Sequence, residues 1–146
     1  MKNKSIILTT ILLFISFESL KLEAFRSDLR HEEPKEWDIL IQALIVVESE
    51  GNQLAEGKNN DVGILQITPI YVKEVNRILN EKVYLLSHRT DIEKSLEMFE
   101  IYQSHHNPTR DILRAIKIHN PGAGKWYTDK VINVFESLSN DSRKFF

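Results

Sequence analysis

Apolar residues recur at helical spacing along most of the chain from residue 37 onward. The first stretch follows one helical face, at Trp37, Leu40, Ile41, Leu44 and Ile45. The predicted helix ends at Ser49, because Gly51 with Asn52 beside it is a typical helix stop. Glu48 falls on the apolar face of this helix. A carboxyl group is therefore expected at the edge of a hydrophobic core.

Four further helices are predicted from start signals and apolar spacing. Thr68–Pro69 begins one of them, and a capping box of Thr90 and Glu93 begins the next. The other two cover residues 111–118 and the stretch from about Tyr127. In the helix after Thr68 we expect the buried residues to be Ile70 or Tyr71, Val75, Ile78 and Leu79, and in the next helix Ile92, Leu96, Phe99 and Tyr102 or Gln103. The apolar residues of the helix over 111–118 are Ile112, Leu113, Ala115 and Ile116. In the last helix Val131, Val134, Phe135 and Leu138 are expected to face inward.

Two loops rich in glycine and asparagine separate these helices. The first covers residues 51–62, which is long for a small domain, and long loops are often functional. The second covers residues 119–124. Apart from a short apolar patch at 83–86, no strand pattern is present. The sequence therefore predicts one small all-α domain, mainly helical, over residues 37–146.

Residues 1–24 have the pattern of a signal peptide or an N-terminal anchor. Lys2 and Lys4 precede an apolar run over residues 6–17, which is short for a membrane span. Ser19 and Ala24 are alternative residues before a cleavage site. Residues 25–36 form a charged lead-in. This order predicts an exported protein of the periplasm or cell envelope.

Composition excludes several classes of function. The formal net charge is −2 and there is no cysteine, so neither a basic nucleic-acid surface nor a lipoprotein anchor is expected. Five histidines are present, but none forms the helical His-Glu-x-x-His pair of a zinc site. No dinucleotide or phosphate-binding motif occurs. The sequence implies no cofactor and no metal.

Glu48 is the candidate for acid–base chemistry. Desolvation penalises a charged carboxylate and raises its pKa, and a carboxyl group that stays protonated near neutral pH can donate a proton to a leaving group. Glu50 is turned by about 200° around the same helix and should have a different environment. The alternative is structural, with Glu48 at the rim of the apolar face and paired with a nearby Lys or Arg.

Several short motifs occur in a characteristic order: Glu48-Ser49, Gly63-Ile64-Leu65-Gln66, Asn120-Pro121-Gly122-Ala123-Gly124 and Tyr127-Thr128-Asp129-Lys130-Val131. In these motifs the chain resembles the lytic transglycosylases of the soluble-transglycosylase, goose-lysozyme-like family. The resemblance extends over about residues 37–138 and implies a lysozyme-like fold. One departure is His119, which stands where the family has tyrosine.

The resemblance implies cleavage of the β-1,4 bond between N-acetylmuramic acid and N-acetylglucosamine in peptidoglycan, with formation of a 1,6-anhydromuramoyl end. Glu48 would be the single catalytic acid and base. The implied substrate-binding residues are Ser49, Gln66, His119, Asn120 and Tyr127, with Tyr127 hydrogen-bonded to Glu48. Alternatives remain for most of these. Gln66 and Asn120 could bond loop backbone, Tyr127 could be a core tyrosine, and Ser49 could orient the site or end its helix.

Other functions remain open on the same fold. One is a non-catalytic peptidoglycan-binding or envelope-assembly protein, another is a hydrolytic muramidase, and a third is a helical interaction protein. The expected partners are peptidoglycan glycan strands, and an envelope-spanning machine is left open. No nucleic-acid partner is expected, and membrane contact is expected only through the N-terminal segment.

Overall fold

The computed structural model describes residues 36–143, which contain five α-helices and a short 3-10 helix. The helices are α1 (Glu36–Ser49), α2 (Pro69–Leu79), α3 (Ile92–His106), α4 (Ile112–His119) and α5 (Lys125–Arg143), and the 3-10 helix is Leu86–Thr90. Within this range there is no strand, only two isolated β-bridges. The predicted all-α class is confirmed. The predicted signal segment and nearly all of the lead-in lie outside the described residues.

The core forms where α1 packs across α5 and α2 packs against α3, with α4 touching both α1 and α5. Its largest fully buried apolar side chains are Phe99, Leu40, Leu44, Leu65, Ile67, Met98 and Ile116. Burial of each such side chain contributes about 1.5–3 kcal/mol. Trp37, Leu40 and Leu44 of α1 are buried and Ile41 and Ile45 are partly buried, so the apolar face predicted for α1 is confirmed. This packing fixes the last turn of α1 at the edge of the core.

Two predicted core positions are wrong. Leu79 and Ile92 are exposed. Each lies at or next to a helix end, where no neighbouring element covers it. The core instead takes Val72 of α2 and Met98 of α3, which the apolar spacing did not single out.

The predicted capping box of Thr90 and Glu93 is also wrong. Asp91 is the N-cap of α3, and its carboxylate accepts a hydrogen bond from the Lys94 backbone N–H at 2.9 Å. Thr90 belongs to the preceding 3-10 helix, where its hydroxyl donates to the Ser87 carbonyl. A carboxylate at the N-cap also suits the positive end of the helix dipole.

The cap predicted for α2 is confirmed, and the strand considered for residues 83–86 does not form. Thr68 Oγ1 accepts from the Tyr71 backbone N–H at 3.2 Å, and Pro69 occupies the first turn of α2. Of residues 83–86 only Tyr84 is buried, and the 3-10 helix begins at Leu86.

A buried arginine holds the loop after α1 against the 3-10 helix. The Arg89 guanidinium donates to the carbonyls of Leu86, Asn60 and Ile67 at 2.9, 2.5 and 3.1 Å. Gly63 has a φ of +83°, and a Cβ at this position would collide with the Arg89 carbonyl. The loop is therefore ordered from both sides, and this order positions the residues that follow Gly63.

Candidate active site

A cleft of about 460 Å³ lies beside the C-terminal end of α1. The loop after α1, helices α2 and α3 and the turn after α4 form its walls. Four of the six predicted site residues line it: Glu48, Gln66, His119 and Asn120. Tyr127 does not line the cleft, but its hydroxyl is hydrogen-bonded to Glu48. Ser49 is not on the cleft wall.

Glu48 lies in the last turn of α1 with its side chain 12% exposed. Burial is the main cause that raises the pKa of this carboxyl above its usual value. The hydrogen bond from Tyr127 and the charge of Lys130 oppose the rise, whereas the negative charge of Asp61 adds to it. The last turn of α1 carries no basic residue, so the negative end of the helix dipole also favours the protonated form.

Tyr127 comes from the first turns of α5, which packs along α1. Its hydroxyl donates a hydrogen bond to Oε1 of Glu48, which is 79 residues away in the sequence. Burial and the neighbouring carboxyl raise the pKa of Tyr127 well above its ordinary value, so the phenol stays protonated as a donor. No hydrogen bond from residues 36–143 reaches Oε2 of Glu48. Tyr127 therefore holds one carboxyl oxygen, and the other accepts no hydrogen bond from the described residues.

His119 lies at the end of α4 with its side chain 3% exposed. Its Nε2 is 3.5 Å from Oε1 of Glu48. Burial lowers the pKa of His119 to about 4, against the smaller opposing effect of a hydrogen bond with the Leu65 backbone. The imidazole is therefore neutral at neutral pH. Its Nδ1 is buried and has no hydrogen-bond partner within the described part of the chain.

Gln66 and Asn120 present side-chain amides to the cleft in different ways. Gln66 has a φ of +48°, and its Nε2 donates to the carbonyls of Ala55 and Gly63 at 3.2 and 2.9 Å. Gln66 therefore bonds loop backbone, which was the alternative to substrate binding. Its side-chain Oε1 accepts no hydrogen bond from the described residues. Asn120 caps α4 through its backbone N–H, and its amide makes no hydrogen bond within 36–143. Both residues thus have polar atoms available to a ligand.

Ser49 connects two parts of the site instead of facing the cleft. Its hydroxyl donates to the Ile64 carbonyl at 2.9 Å and lies 3.2 Å from the Ile45 carbonyl, and its Oγ accepts from the Gly51 N–H. These bonds attach the end of α1 to the turn that carries Gln66. A direct contact of Ser49 with substrate stays a prediction.

Sequence reasoning missed the aromatic wall of the cleft. Tyr71 and Tyr102 line it with their rings stacked at 4.2 Å. The sequence did contain a signal for this wall, but it was ambiguous, because Tyr102 and Gln103 both fitted the apolar face of α3. Gln103 is the one that is buried, which leaves Tyr102 toward the cleft.

Two more carboxylates lie on the cleft wall. Glu74 is held by Arg77, whose hydrogen bonds are the main cause that lowers the pKa of Glu74 to about 2, and His106 Nε2 is 2.9 Å from its Oε1. Asp61 accepts from the Asn59 backbone N–H at 2.8 Å. In the part of the chain that the structure describes, no three acidic or histidine side chains converge as a metal site.

No helix among the described residues combines the length and the apolar character needed to cross a bilayer.

Comparison with known proteins gives one match. The family model of the transglycosylase SLT domain matches residues 29–131, which is more than half of the chain. No curated protein and no solved structure matches. The matched range contains Glu48, the cleft and Tyr127.

Proposed function

The chain belongs to the transglycosylase SLT domain family of lysozyme-like lytic transglycosylases, and we propose on this premise that it cleaves peptidoglycan glycan strands with Glu48 as acid and base. The observation that carries the proposal is the environment of Glu48. A mostly buried carboxyl with a raised pKa is held through one oxygen by Tyr127 and lines a cleft. These are the requirements for a general acid.

In the first step, protonated Glu48 donates its proton from Oε2 to the oxygen that links N-acetylmuramic acid to N-acetylglucosamine. The bond between that oxygen and C1 of the muramoyl residue breaks, and positive charge develops on C1. The carboxylate left on Glu48 stabilises this charge. Tyr127 remains bonded to Oε1 and limits the reorganisation that the change of charge requires.

In the second step, Glu48 takes the proton of the muramoyl C6 hydroxyl on the same oxygen. The C6 oxygen bonds to C1 and closes the 1,6-anhydro ring. Glu48 is then protonated again, so one carboxyl suffices for the cycle. The substrate supplies the nucleophile in place of the second carboxylate of other glycosidases.

Asn120 and Gln66 are proposed to hold the sugars on either side of the bond that breaks. The free amide of Asn120 and the unbonded Oε1 of Gln66 supply a donor and acceptors. Tyr102, which is partly exposed and stacked on the buried ring of Tyr71, offers an aromatic surface to the apolar face of a sugar ring. Residues 1–24 are proposed as the export signal or anchor that brings the domain at 37–146 to the periplasm or envelope.

The test is a muropeptide analysis by mass spectrometry after digestion of purified peptidoglycan. The wild type should release 1,6-anhydro ends, and Glu48→Gln should lose at least about a hundredfold in rate, the scale of lost acid–base catalysis. Glu50→Gln is the matched control, because Glu50 is exposed just beyond the same helix and should keep nearly full rate. Folded, inactive wild type would refute the proposal. Binding of sacculi without turnover would identify a non-catalytic binder.

A hydrolytic muramidase is the second candidate, and Asp61 is the observation that favours it. Asp61 lies on the same cleft, close enough for its charge to raise the pKa of Glu48. A second carboxylate in this position could activate a water molecule. Products with reducing ends instead of anhydro ends, lost in Asp61→Asn, would support this candidate.

A further inference from the structure

His119 was predicted to bind substrate, but its surroundings indicate a different task. Only 3% of the side chain is exposed, so little of the ring can meet a sugar. The atom nearest to the chemistry is Nε2, at 3.5 Å from Oε1 of Glu48. We infer that His119 is a positioning residue whose Nε2–H donates to Oε1 of Glu48 beside Tyr127, so that Oε2 alone carries the catalytic proton. This inference rests on the proposed function.

The burial of the ring assigns its proton to Nε2. A neutral imidazole has one N–H donor and one acceptor nitrogen. Nδ1 is buried without a partner in the described residues, whereas Nε2 lies 3.5 Å from a carboxyl oxygen of Glu48, and the Leu65 backbone is a further acceptor for the ring N–H. A buried N–H without an acceptor is rarer and more costly than an under-used acceptor. The Nε2–H tautomer leaves only the acceptor Nδ1 unpaired and lets the donor face Oε1.

Aromatic packing fixes the direction of this donor. The rings of Phe99 and Tyr71 meet the imidazole edge to face, at centroid distances of 5.7 and 6.0 Å. The 3.5 Å separation is long for a hydrogen bond, but such contacts in catalytic sites often shorten when substrate binds. Two donors would then converge on Oε1 in both protonation states of Glu48. The carboxyl would keep one orientation while its proton leaves from and returns to Oε2.

A neutral donor also suits the electrostatics better than a cation would. The titratable groups that act on this carboxyl are Tyr127 and Lys130 of α5 and Asp61 of the loop after α1, and Tyr71 of α2 faces the imidazole. Burial keeps the phenols of Tyr71 and Tyr127 neutral by raising their pKa values. A positive charge on His119 would hold Glu48 ionised and prevent the acid step. A neutral N–H stabilises the carboxylate modestly and still allows protonation.

The test compares His119→Phe, which removes the donor, with His119→Gln, which supplies an amide N–H. Loss of one neutral hydrogen bond should raise the pKa of Glu48 by about 0.5 to 1. The apparent pKa at which kcat/KM falls on the basic side should rise by the same amount in His119→Phe. It should return to the wild-type value in His119→Gln. We expect a several-fold fall in kcat for His119→Phe with KM unchanged. An increase in KM at constant kcat would indicate sugar binding and overturn the inference.

Two NMR measurements separate this inference from the proposed function. Carbon-13 titration of the Glu48 carboxyl follows its pKa without any turnover, and the value should rise in His119→Phe. Nitrogen-15 spectra of the wild type report the imidazole tautomer, so no variant has to fold for that result. An Nδ1–H tautomer or an imidazolium at neutral pH would overturn the inference. Active wild type with an unmoved carboxyl titration refutes this inference alone, whereas inactive folded wild type refutes the proposed function.

Discussion

Replacement of His119 by phenylalanine should remove much of the loss of stability that the protein suffers on mild acidification. The folded protein holds this imidazole in a buried site that lowers its pKa to about 4, whereas an exposed histidine has a pKa of 6.5. As pH falls below 6.5 the unfolded chain takes up a proton that the folded chain refuses. Acidification therefore favours unfolding through this residue. The loss begins near pH 6.5 and is complete below about pH 4.

The size of the effect follows from the difference between the two pKa values. Each pKa unit corresponds to about 1.4 kcal/mol, so the full penalty is on the order of 3 kcal/mol. That is a large part of the roughly 5–15 kcal/mol by which proteins of this kind are stable. Phenylalanine has a similar planar ring and can meet Tyr71 and Phe99 without a titrating nitrogen. At neutral pH the variant should therefore stay folded.

Urea unfolding followed by circular dichroism at a series of pH values gives the free energy of unfolding for each protein. Other groups also titrate over this range, so the informative quantity is the difference between wild type and His119→Phe at each pH. That difference should change in favour of the variant by about 2–3 kcal/mol between pH 7 and about pH 4. His105→Gln, which alters an exposed histidine, is the control and should follow the wild type.

One result would refute this reasoning. If the difference between wild type and His119→Phe stays constant with pH, or favours the wild type in acid, the imidazole is not held neutral. It would then be paired as a cation with ionised Glu48. The same result would contradict the positioning by a neutral donor that is inferred above.

The other predictions concern Glu48 and the local backbone. The folded protein raises the pKa of Glu48 above the ordinary value of 4.5, so the protein loses stability as the pH rises above 4.5. Glu48→Gln should therefore have a higher melting temperature than the wild type at pH 7, and this advantage should disappear below pH 4.5. Asp91→Ala should lower the free energy of unfolding by about 1 kcal/mol, and Thr90→Ala by less, because Asp91 is the cap; equal losses would contradict this. Gly63→Ala should cost more than about 1 kcal/mol in urea unfolding, because of its positive φ and the Arg89 carbonyl.

The spacing of residues along the chain determined the helices and the face on which Glu48 lies. Periodicity within one helix depends only on helical geometry, so the apolar face of α1 could be predicted without knowledge of its neighbours. The same is true of Thr68, whose capping role is local to the first turn of α2. Local rules failed at Thr90, because this residue belongs to the preceding 3-10 helix and Asp91 is the N-cap of α3.

Only the tertiary structure decided which side chains surround the carboxyl of Glu48. Tyr127 is 79 residues away from Glu48 in the sequence, and its place depends on how α5 crosses α1. Helical spacing could not choose between Tyr102 and Gln103, because both fitted the apolar face of α3. Packing decides between them: Gln103 is buried and donates to the Ala115 carbonyl of α4, whereas Tyr102 stacks on Tyr71 of α2. The burial of the His119 side chain likewise depends on its packing against Tyr71 and Phe99. The sequence alone therefore pointed to Glu48 as the candidate acid, whereas the pKa of that carboxyl depends on contacts that exist only after the helices pack.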